Sequence, residues 1–92
     1  MSEADRLKDC IGRVVVIDTD STHLYIGTLA SADGPFYELV DADVHDSRTT
    51  NTPRDLYIIN VARYGVKKNR ERVLVRRDRA VSLSLLSDVT QY

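Results

Sequence analysis

Several residues able to bind a cation lie close together near the middle of the chain. Asp41, Asp43 and His45 alternate along one predicted strand, so their side chains share a face, and Asp46 follows directly. Carboxylates beside an imidazole are typical ligands of a divalent cation. Acidic side chains near a strand end are more often simply solvated, however, and no second cluster completes a coordination shell. We therefore predict neither a metal site nor a cofactor.

Basic side chains are concentrated in the second half of the chain. Residues 1–52 carry 4 basic and 10 acidic side chains, whereas residues 53–92 carry 9 basic and 4 acidic ones. Four of the cations form a basic run: Lys67, Lys68, Arg70 and Arg72. Two interpretations of the basic half stay open, namely contact with phosphate groups and ion pairs with the acidic half of a neighbouring subunit.

The sequence contains no arrangement typical of an enzyme. Its serines have no basic partner at motif spacing, and His23 stands alone near a predicted turn. No glycine-rich loop of the kind that cradles phosphate is present. We expect no catalytic residues and no enzymatic activity.

The composition fits a small globular domain. The 92 residues are 42% hydrophobic and 29% charged, and Cys10 is the one cysteine, which excludes an internal disulfide. No apolar run is long enough to cross a bilayer, and residues 1–5 are acidic with no apolar stretch behind them, unlike a secretory signal. We expect a single domain over residues 1–92, a cytoplasmic location and no membrane partner.

Local patterns predict five strands and a leading helix. The helix is expected at residues 2–10, and Gly12 is expected to end it. β-branched and alternating apolar residues predict strands at residues 13–19, 22–32, 36–44, 72–77 and 80–86. Gly27, inside the second strand, indicates a sharp bend or a close backbone approach.

The segment 45–71 between the third and fourth strands is predicted to contain a second helix, at about 53–64. Thr52 suits the N-cap, Pro53 the first helical position and Gly65 the C-cap. Three residues then follow helical spacing: Tyr57, Val61 and Tyr64. A strand stays open as the alternative, because this stretch is also rich in β-branched and aromatic residues.

Two segments resemble the signature boxes of the Sm-like (LSm) family. In Gly27-Thr28-Leu29-Ala30-Ser31-Ala32-Asp33 the Gly, Leu and Asp match the first box, and Val75-Arg76-Arg77-Asp78 matches the second at three of four positions. The resemblance covers roughly residues 5–44 and 72–87 and leaves 45–71 outside it. The chain is similar to a divergent bacterial-type member with a helical insertion between strands 3 and 4.

The resemblance implies a mostly β fold, a small Sm-like or SH3-like barrel of five bent antiparallel strands with an N-terminal helix. It also implies a homo-oligomeric ring of about six or seven subunits, in which the exposed edges of the fourth and fifth strands pair between neighbours. Sm-like subunits hold single-stranded RNA, which makes RNA the expected partner. The candidate RNA-binding residues carried over from the boxes are Asp33, Tyr37, Arg76, Arg77 and Asp78.

The sequence leaves two functions open. Tyr37 and Arg77 occupy places where the family pattern has an asparagine and a glycine, so the pocket departs from that pattern. One function is an RNA-binding ring, helped by the basic run at residues 67–72. The other is a protein-interaction or scaffold barrel that has lost the RNA pocket. Such a barrel would dock protein partners on the inserted helix, through exposed Tyr57, Val61 and Tyr64.

Overall fold

The computed structural model describes residues 3–90, with side chains from residue 5 onward. The chain begins with a short helix, α1 (Glu3–Lys8). Its remaining elements are β1 (Val14–Thr19), β2 (His23–Ser31), β3 (Phe36–Asp46), α2 (Arg54–Tyr64), β4 (Arg70–Arg76) and β5 (Ala80–Leu85). Short 3-10 turns follow the last two strands, at Arg77–Arg79 and Leu86–Asp88. No helix in the described range is long and apolar enough to span a bilayer.

The five strands form one antiparallel sheet in the order β4-β3-β2-β1-β5, so β4 and β5 are its edges. The predicted fold class is confirmed, and the predicted strands lie within about two residues of the observed ones. The inserted helix is confirmed as α2, so the strand alternative for that segment is wrong. Residue 2, the predicted start of the first helix, lies outside the described residues.

The sheet bends at a bulge between β2 and β3. Opposite Gly27 the pairing register shifts, and β3 carries one extra residue there. Asp41 accommodates that residue with a left-handed backbone, at φ 50°. A Cβ added at Gly27 would lie 3.0 Å from the Cα of Ala42. The predicted close backbone approach at this glycine is therefore confirmed.

Both faces of the central strands are buried, which explains the unbroken apolar run of β1. The concave interior of the sheet is formed by Val15, Ile17, Leu29, Leu39 and neighbours, with Leu7 of α1 packed against it. On the other face, Val16, Leu24 and Ile26 pack against Val61 of α2. The inserted helix thus covers a sheet surface that would otherwise expose aliphatic side chains.

Two side chains fasten α2 to the sheet. Arg54, in the first turn, donates a hydrogen bond to the carboxylate of Asp18 on β1. One turn later, the hydroxyl of Tyr57 donates to the carboxylate of Asp43 on β3. The ring of Tyr57 also stacks on His45, with the ring centroids 3.9 Å apart. These contacts join the helix to β1 and β3, the two strands on either side of β2.

The structure corrects two expectations about α2. The helix has Pro53, not Thr52, as its N-cap, because the helical backbone begins at Arg54. The face expected to be exposed for protein partners is largely packed against the sheet instead. Val61 is 6% exposed and Tyr57 is half-buried, whereas Tyr64 remains 71% exposed.

Candidate nucleic-acid interface

The loop after β2 and the turn after β4 meet at one end of the sheet. Because β3 pairs with both strands, Phe36 at its start lies opposite Arg76 at the end of β4. The backbone N–H of Arg77 donates to the carbonyl of Pro35 at 2.8 Å. The guanidinium of Arg77 donates to the carbonyl of Ala32. The two segments that resemble signature boxes are therefore joined by direct contacts.

Arg77 is the centre of this junction. Its guanidinium carbon lies 4.8 Å from the ring centroid of Tyr37, a cation–π contact. Tyr37 is 7% exposed and belongs to the concave core, so Arg77 covers a ring that is otherwise enclosed. The Nε of Arg77 is buried and has no hydrogen-bond partner among the described residues. The junction thus contains a planar cation with one unused donor.

Arg76 and Asp78 form the exposed rim of the junction. Their side chains are both 64% exposed, with Nη2 and Oδ2 2.8 Å apart. An exposed ion pair of this kind contributes little to stability, so either side chain can exchange its partner for a ligand. The two residues line a shallow cavity of about 260 Å³ together with Pro35 and Arg77. This rim offers a cation and a carboxylate side by side.

Asp33 is exposed on the other side of Arg77, in a groove between α1 and the end of β2. The groove has a volume of about 430 Å³ and is also lined by Lys8 and Ser31. The groove contains two cations, Lys8 and Arg77, together with the carboxylate of Asp33 and the hydroxyl of Ser31. These groups can bind phosphate oxygens and the polar edges of bases. The five candidate RNA-binding residues therefore meet at one end of the sheet, four at its surface and Tyr37 beneath it.

The basic run at residues 67–72 is largely paired with carboxylates. The ammonium of Lys68 lies 3.3 Å from Asp41 and 3.1 Å from Glu71, and hydrogen bonds to Glu71 and Asp41 raise the pKa of Lys68. Arg72 lies 3.3 Å from Glu38. These pairs are solvent-exposed, so they reduce the local positive charge without fixing the side chains firmly.

The other two cations of the run point to different places. Arg70 donates a hydrogen bond to the carbonyl of Asn69 at 2.9 Å and shares a face of β4 with Arg72 and Arg76. Arg72 and Arg76 are about 13 Å apart along that strand. Lys67 instead borders a cavity beneath α2. The structure does not gather the four cations into one patch.

The acidic and basic halves of the chain meet within the chain itself. Arg54 pairs with Asp18, and Arg79 lies 2.8 Å from Asp20, whose hydrogen bond raises the pKa of Arg79. The pairs of Lys68 and Arg72 join the same two halves. Ion pairs between subunits were one of the two open interpretations of the charge asymmetry, and much of that asymmetry is neutralised inside one subunit instead.

Asp41, Asp43 and His45 do not form one group. The bulge turns Asp41 outward to Lys68, whereas Asp43 and His45 are 3% and 5% exposed beneath α2. Within the described part of the chain, no three His, Cys, Asp or Glu residues are placed to hold a metal ion. Asp46, next along the strand, is hydrogen-bonded to Arg48, which holds the pKa of that carboxyl well below its usual range.

Asn69 is a positioning residue that sequence reasoning missed. Its side chain accepts a hydrogen bond from the N–H of Val44 at 3.0 Å and donates to the carbonyl of Val44 at 3.1 Å. The amide thus prolongs the β3–β4 ladder beyond the first residue of β4. Its Nδ2 also lies 3.3 Å from Asp43. Asn69 lies directly before the observed β4 but three residues before the predicted strand at 72–77, so no sequence signal singled it out.

A bent five-stranded antiparallel sheet with a leading helix, β4 and β5 as edges, and joined loops after β2 and β4 is the Sm-like fold. Solved structures bear this out. The Sm protein of Pyrococcus abyssii in complex with a uridine heptamer matches with a TM-score of 0.64 at 15% identity, over 92% of this chain and 99% of that chain. An Sm-like protein from Archaeoglobus fulgidus, AF-Sm2, matches with a TM-score of 0.63 at 10% identity, over 92% and 95%.

A chain of the NatC complex bound to CoA is also similar, with a TM-score of 0.57 at 15% identity over 90% of this chain and 87% of that one. No protein-family model and no curated protein matches the sequence. The predicted resemblance to Sm-like proteins is confirmed at the level of the fold.

Proposed function

We propose that this protein is an Sm-like subunit that forms a ring and binds single-stranded RNA. The main support is the junction at which Arg77 joins the loop after β2 to the turn after β4. It combines exposed charged groups with a planar cation on the fold of a Pyrococcus Sm protein that was solved with a uridine heptamer. The RNA roles of Asp33, Tyr37, Arg76, Arg77 and Asp78 are part of this proposal.

Each group at the junction suits a different part of a nucleotide. Arg76 binds phosphate or a base edge from the exposed rim. Asp33 and Asp78 accept hydrogen bonds from base N–H groups. Arg77 presents the outer face of its guanidinium, on which a base can stack, while Tyr37 supports the inner face. The stacking surface is then an arginine plane rather than an aromatic ring.

The sheet edges support the ring. β4 and β5 each have one neighbour in the sheet, so their outer backbone groups are unpaired there. Both edges also expose apolar side chains, since Leu74 is 55% and Val81 is 69% exposed. Pairing β4 of one subunit with β5 of the next gives these backbone groups hydrogen-bond partners. Closure of the ring at about six or seven subunits avoids an open filament. A ring also brings many copies of Arg76 to one RNA strand.

Fluorescence anisotropy of a labelled uridine heptamer tests the proposal. We expect binding that weakens with salt. Arg76→Ala should lower affinity and reduce the slope of log affinity against log salt by about 0.7 for each phosphate that Arg76 neutralises in the wild type. Arg48→Ala is the matched control, because Arg48 pairs with Asp46 at the end of β3, whereas the junction lies at the start of that strand. Equal behaviour of the two variants, or no binding at low salt, would contradict the proposal.

The scaffold alternative has less support. Its expected partner surface on α2 depended on Tyr57, Val61 and Tyr64, and the first two pack against the sheet. An isolated exposed tyrosine is not an apolar docking patch. Protein partners of the inserted helix therefore have no specific observation behind them.

A further inference from the structure

A second polar cavity lies between α2 and β3. Its volume is about 330 Å³, which falls within the range of small-molecule sites. It shares no lining residue with the two cavities at the RNA junction. The polar and aromatic residues around it are Asp43, Thr52, Tyr57, Asn60, Tyr64 and Lys67.

Helical spacing assembles one wall of this cavity. Tyr57, Asn60 and Tyr64 are three and four residues apart, so they lie on one side of α2. Gly65 ends the helix with φ 96°, a conformation that suits glycine and turns the chain. Lys67 then reaches the same cavity from the segment after the helix. The wall therefore combines phenol, amide and ammonium groups.

The inner end of the cavity has a buried carboxylate. Asp43 is 3% exposed and accepts hydrogen bonds from the Tyr57 hydroxyl and from Nδ2 of Asn69 at 3.3 Å. Burial, together with the hydrogen bond to Asp43, raises the pKa of Tyr57, so its hydroxyl remains a donor. A carboxylate has about four acceptor positions. Asp43 thus keeps capacity for two further donors from a ligand.

The outer end of the cavity is formed by an exposed aromatic ring and a lysine ammonium group. Tyr64 is 71% exposed, so its ring offers a flat surface at the mouth. Within the described residues, the ammonium of Lys67 has no hydrogen bond or ion pair, in contrast to Lys68 beside it. A complementary ligand is therefore flat, has two donors at its inner edge and bears an anionic group at its outer end.

We propose that this cavity binds a guanine nucleotide. Guanine presents N1–H and N2–H as adjacent donors that one carboxylate can accept together, whereas each other RNA base places an acceptor beside its donor on that edge. In this arrangement Asp43 accepts both donors, Tyr64 stacks on the base and Lys67 binds the phosphate. The site lies on the α2 side of the sheet and does not depend on RNA binding at the junction.

Amide-resolved NMR titrations of the full chain test this proposal. We expect GMP to shift amides at residues 57–67 rather than at residues 76–78, and to bind at least about tenfold tighter than UMP, AMP or CMP. Tyr64→Ala and Lys67→Ala should each weaken GMP binding at least about fivefold. Lys68→Ala is the matched control, since Lys68 is paired with Asp41 and Glu71 outside the cavity.

A second experiment determines whether the cavity binds a free guanine nucleotide or a guanosine within RNA. A uridine heptamer with one central guanosine is compared with the all-uridine heptamer, in the wild type and in Tyr64→Ala. Free GMP binding assigns the cavity to a mononucleotide, whereas a Tyr64-dependent gain from the guanosine alone assigns it to RNA. The proposal would be overturned if GMP did not bind and the guanosine gave no Tyr64-dependent gain in affinity. It would also be overturned if Lys67→Ala and Lys68→Ala weakened GMP binding equally. Arg76-dependent binding of the all-uridine heptamer would survive that failure, so the two proposals are separable.

Discussion

Arg77 lies over the ring of Tyr37, with 4.8 Å between its guanidinium carbon and the ring centroid. The same guanidinium donates to the carbonyl of Ala32 on the loop after β2. Tyr37 is thereby enclosed, and the surface above it is the plane of Arg77. A glycine at this position would leave the tyrosine ring open. Tyr37 and Arg77 stand where the family pattern has an asparagine and a glycine, and their contact makes the two replacements one structural unit.

Replacing Arg77 by lysine tests whether its planar group contributes to RNA binding beyond its positive charge. Arg77→Lys keeps the charge but loses the planar group, so we expect a uridine heptamer to bind about five- to tenfold more weakly. Tyr37→Phe keeps the ring beneath Arg77 and should change affinity less than about twofold. Both affinities can be measured by fluorescence anisotropy at one salt concentration. Full affinity of Arg77→Lys would show that stacking on the guanidinium plane is not used.

Val61 anchors α2 in the outer core. Val61→Ala should lower the free energy of unfolding by about 1–3 kcal/mol, because it removes buried methyl groups that face Val16, Leu24 and Ile26. Leu56→Ala, on the same helix but 49% exposed, should change it by less than about 0.5 kcal/mol. Urea unfolding of the two variants makes the comparison. Equal effects would mean that α2 does not pack as described.

Gly27 should not tolerate a side chain. The added Cβ of Gly27→Ala would lie 3.0 Å from the Cα of Ala42 and 3.2 Å from the carbonyl oxygen of Val40. We expect a loss of about 1–3 kcal/mol in unfolding free energy, because backbone must shift at the bulge. Ala30→Ser, at an exposed site on the same strand, serves as the control. Unchanged thermal stability of Gly27→Ala would contradict the close approach.

The Tyr57–Asp43 hydrogen bond predicts a loss of stability in alkali. The pKa of Tyr57 is raised above its ordinary 10.0 in the folded chain, first by burial and then by Asp43. Its contribution is therefore fully present below about pH 10 and declines as pH rises further toward the folded-state pKa. Urea unfolding at pH 8 and pH 11 should show a smaller alkaline loss in Tyr57→Phe than in the wild type. Identical losses would exclude this linkage.

Local chemistry was enough to predict most of the helices and strands, whereas their arrangement as a barrel came from the family resemblance. Gly27 indicated the close approach at the bulge, Gly65 the end of α2, and the apolar run of β1 a strand. These features depend on neighbouring residues or on spacing, so they can be recognised before any tertiary contact is known.

The remaining features depend on contacts between distant residues. Arg54 binds Asp18 across 36 positions, and Asn69 binds Val44 across 25, yet each looks like an ordinary surface residue in sequence. The buried side of α2 was misassigned for the same reason, because a helix with apolar residues on several sides does not indicate which side packs. The cavity around Asp43 arises only once α2 lies on β3.

Native mass spectrometry of the full chain, with and without a uridine heptamer at low and moderate salt, tests the central claim most directly. The account predicts a closed oligomer of about six or seven subunits that takes up RNA, with Arg76→Ala keeping the oligomer and losing the RNA. A monomer under all conditions would contradict the ring. A ring that never retains RNA would contradict the proposed RNA-binding function while leaving the Sm-like fold in place.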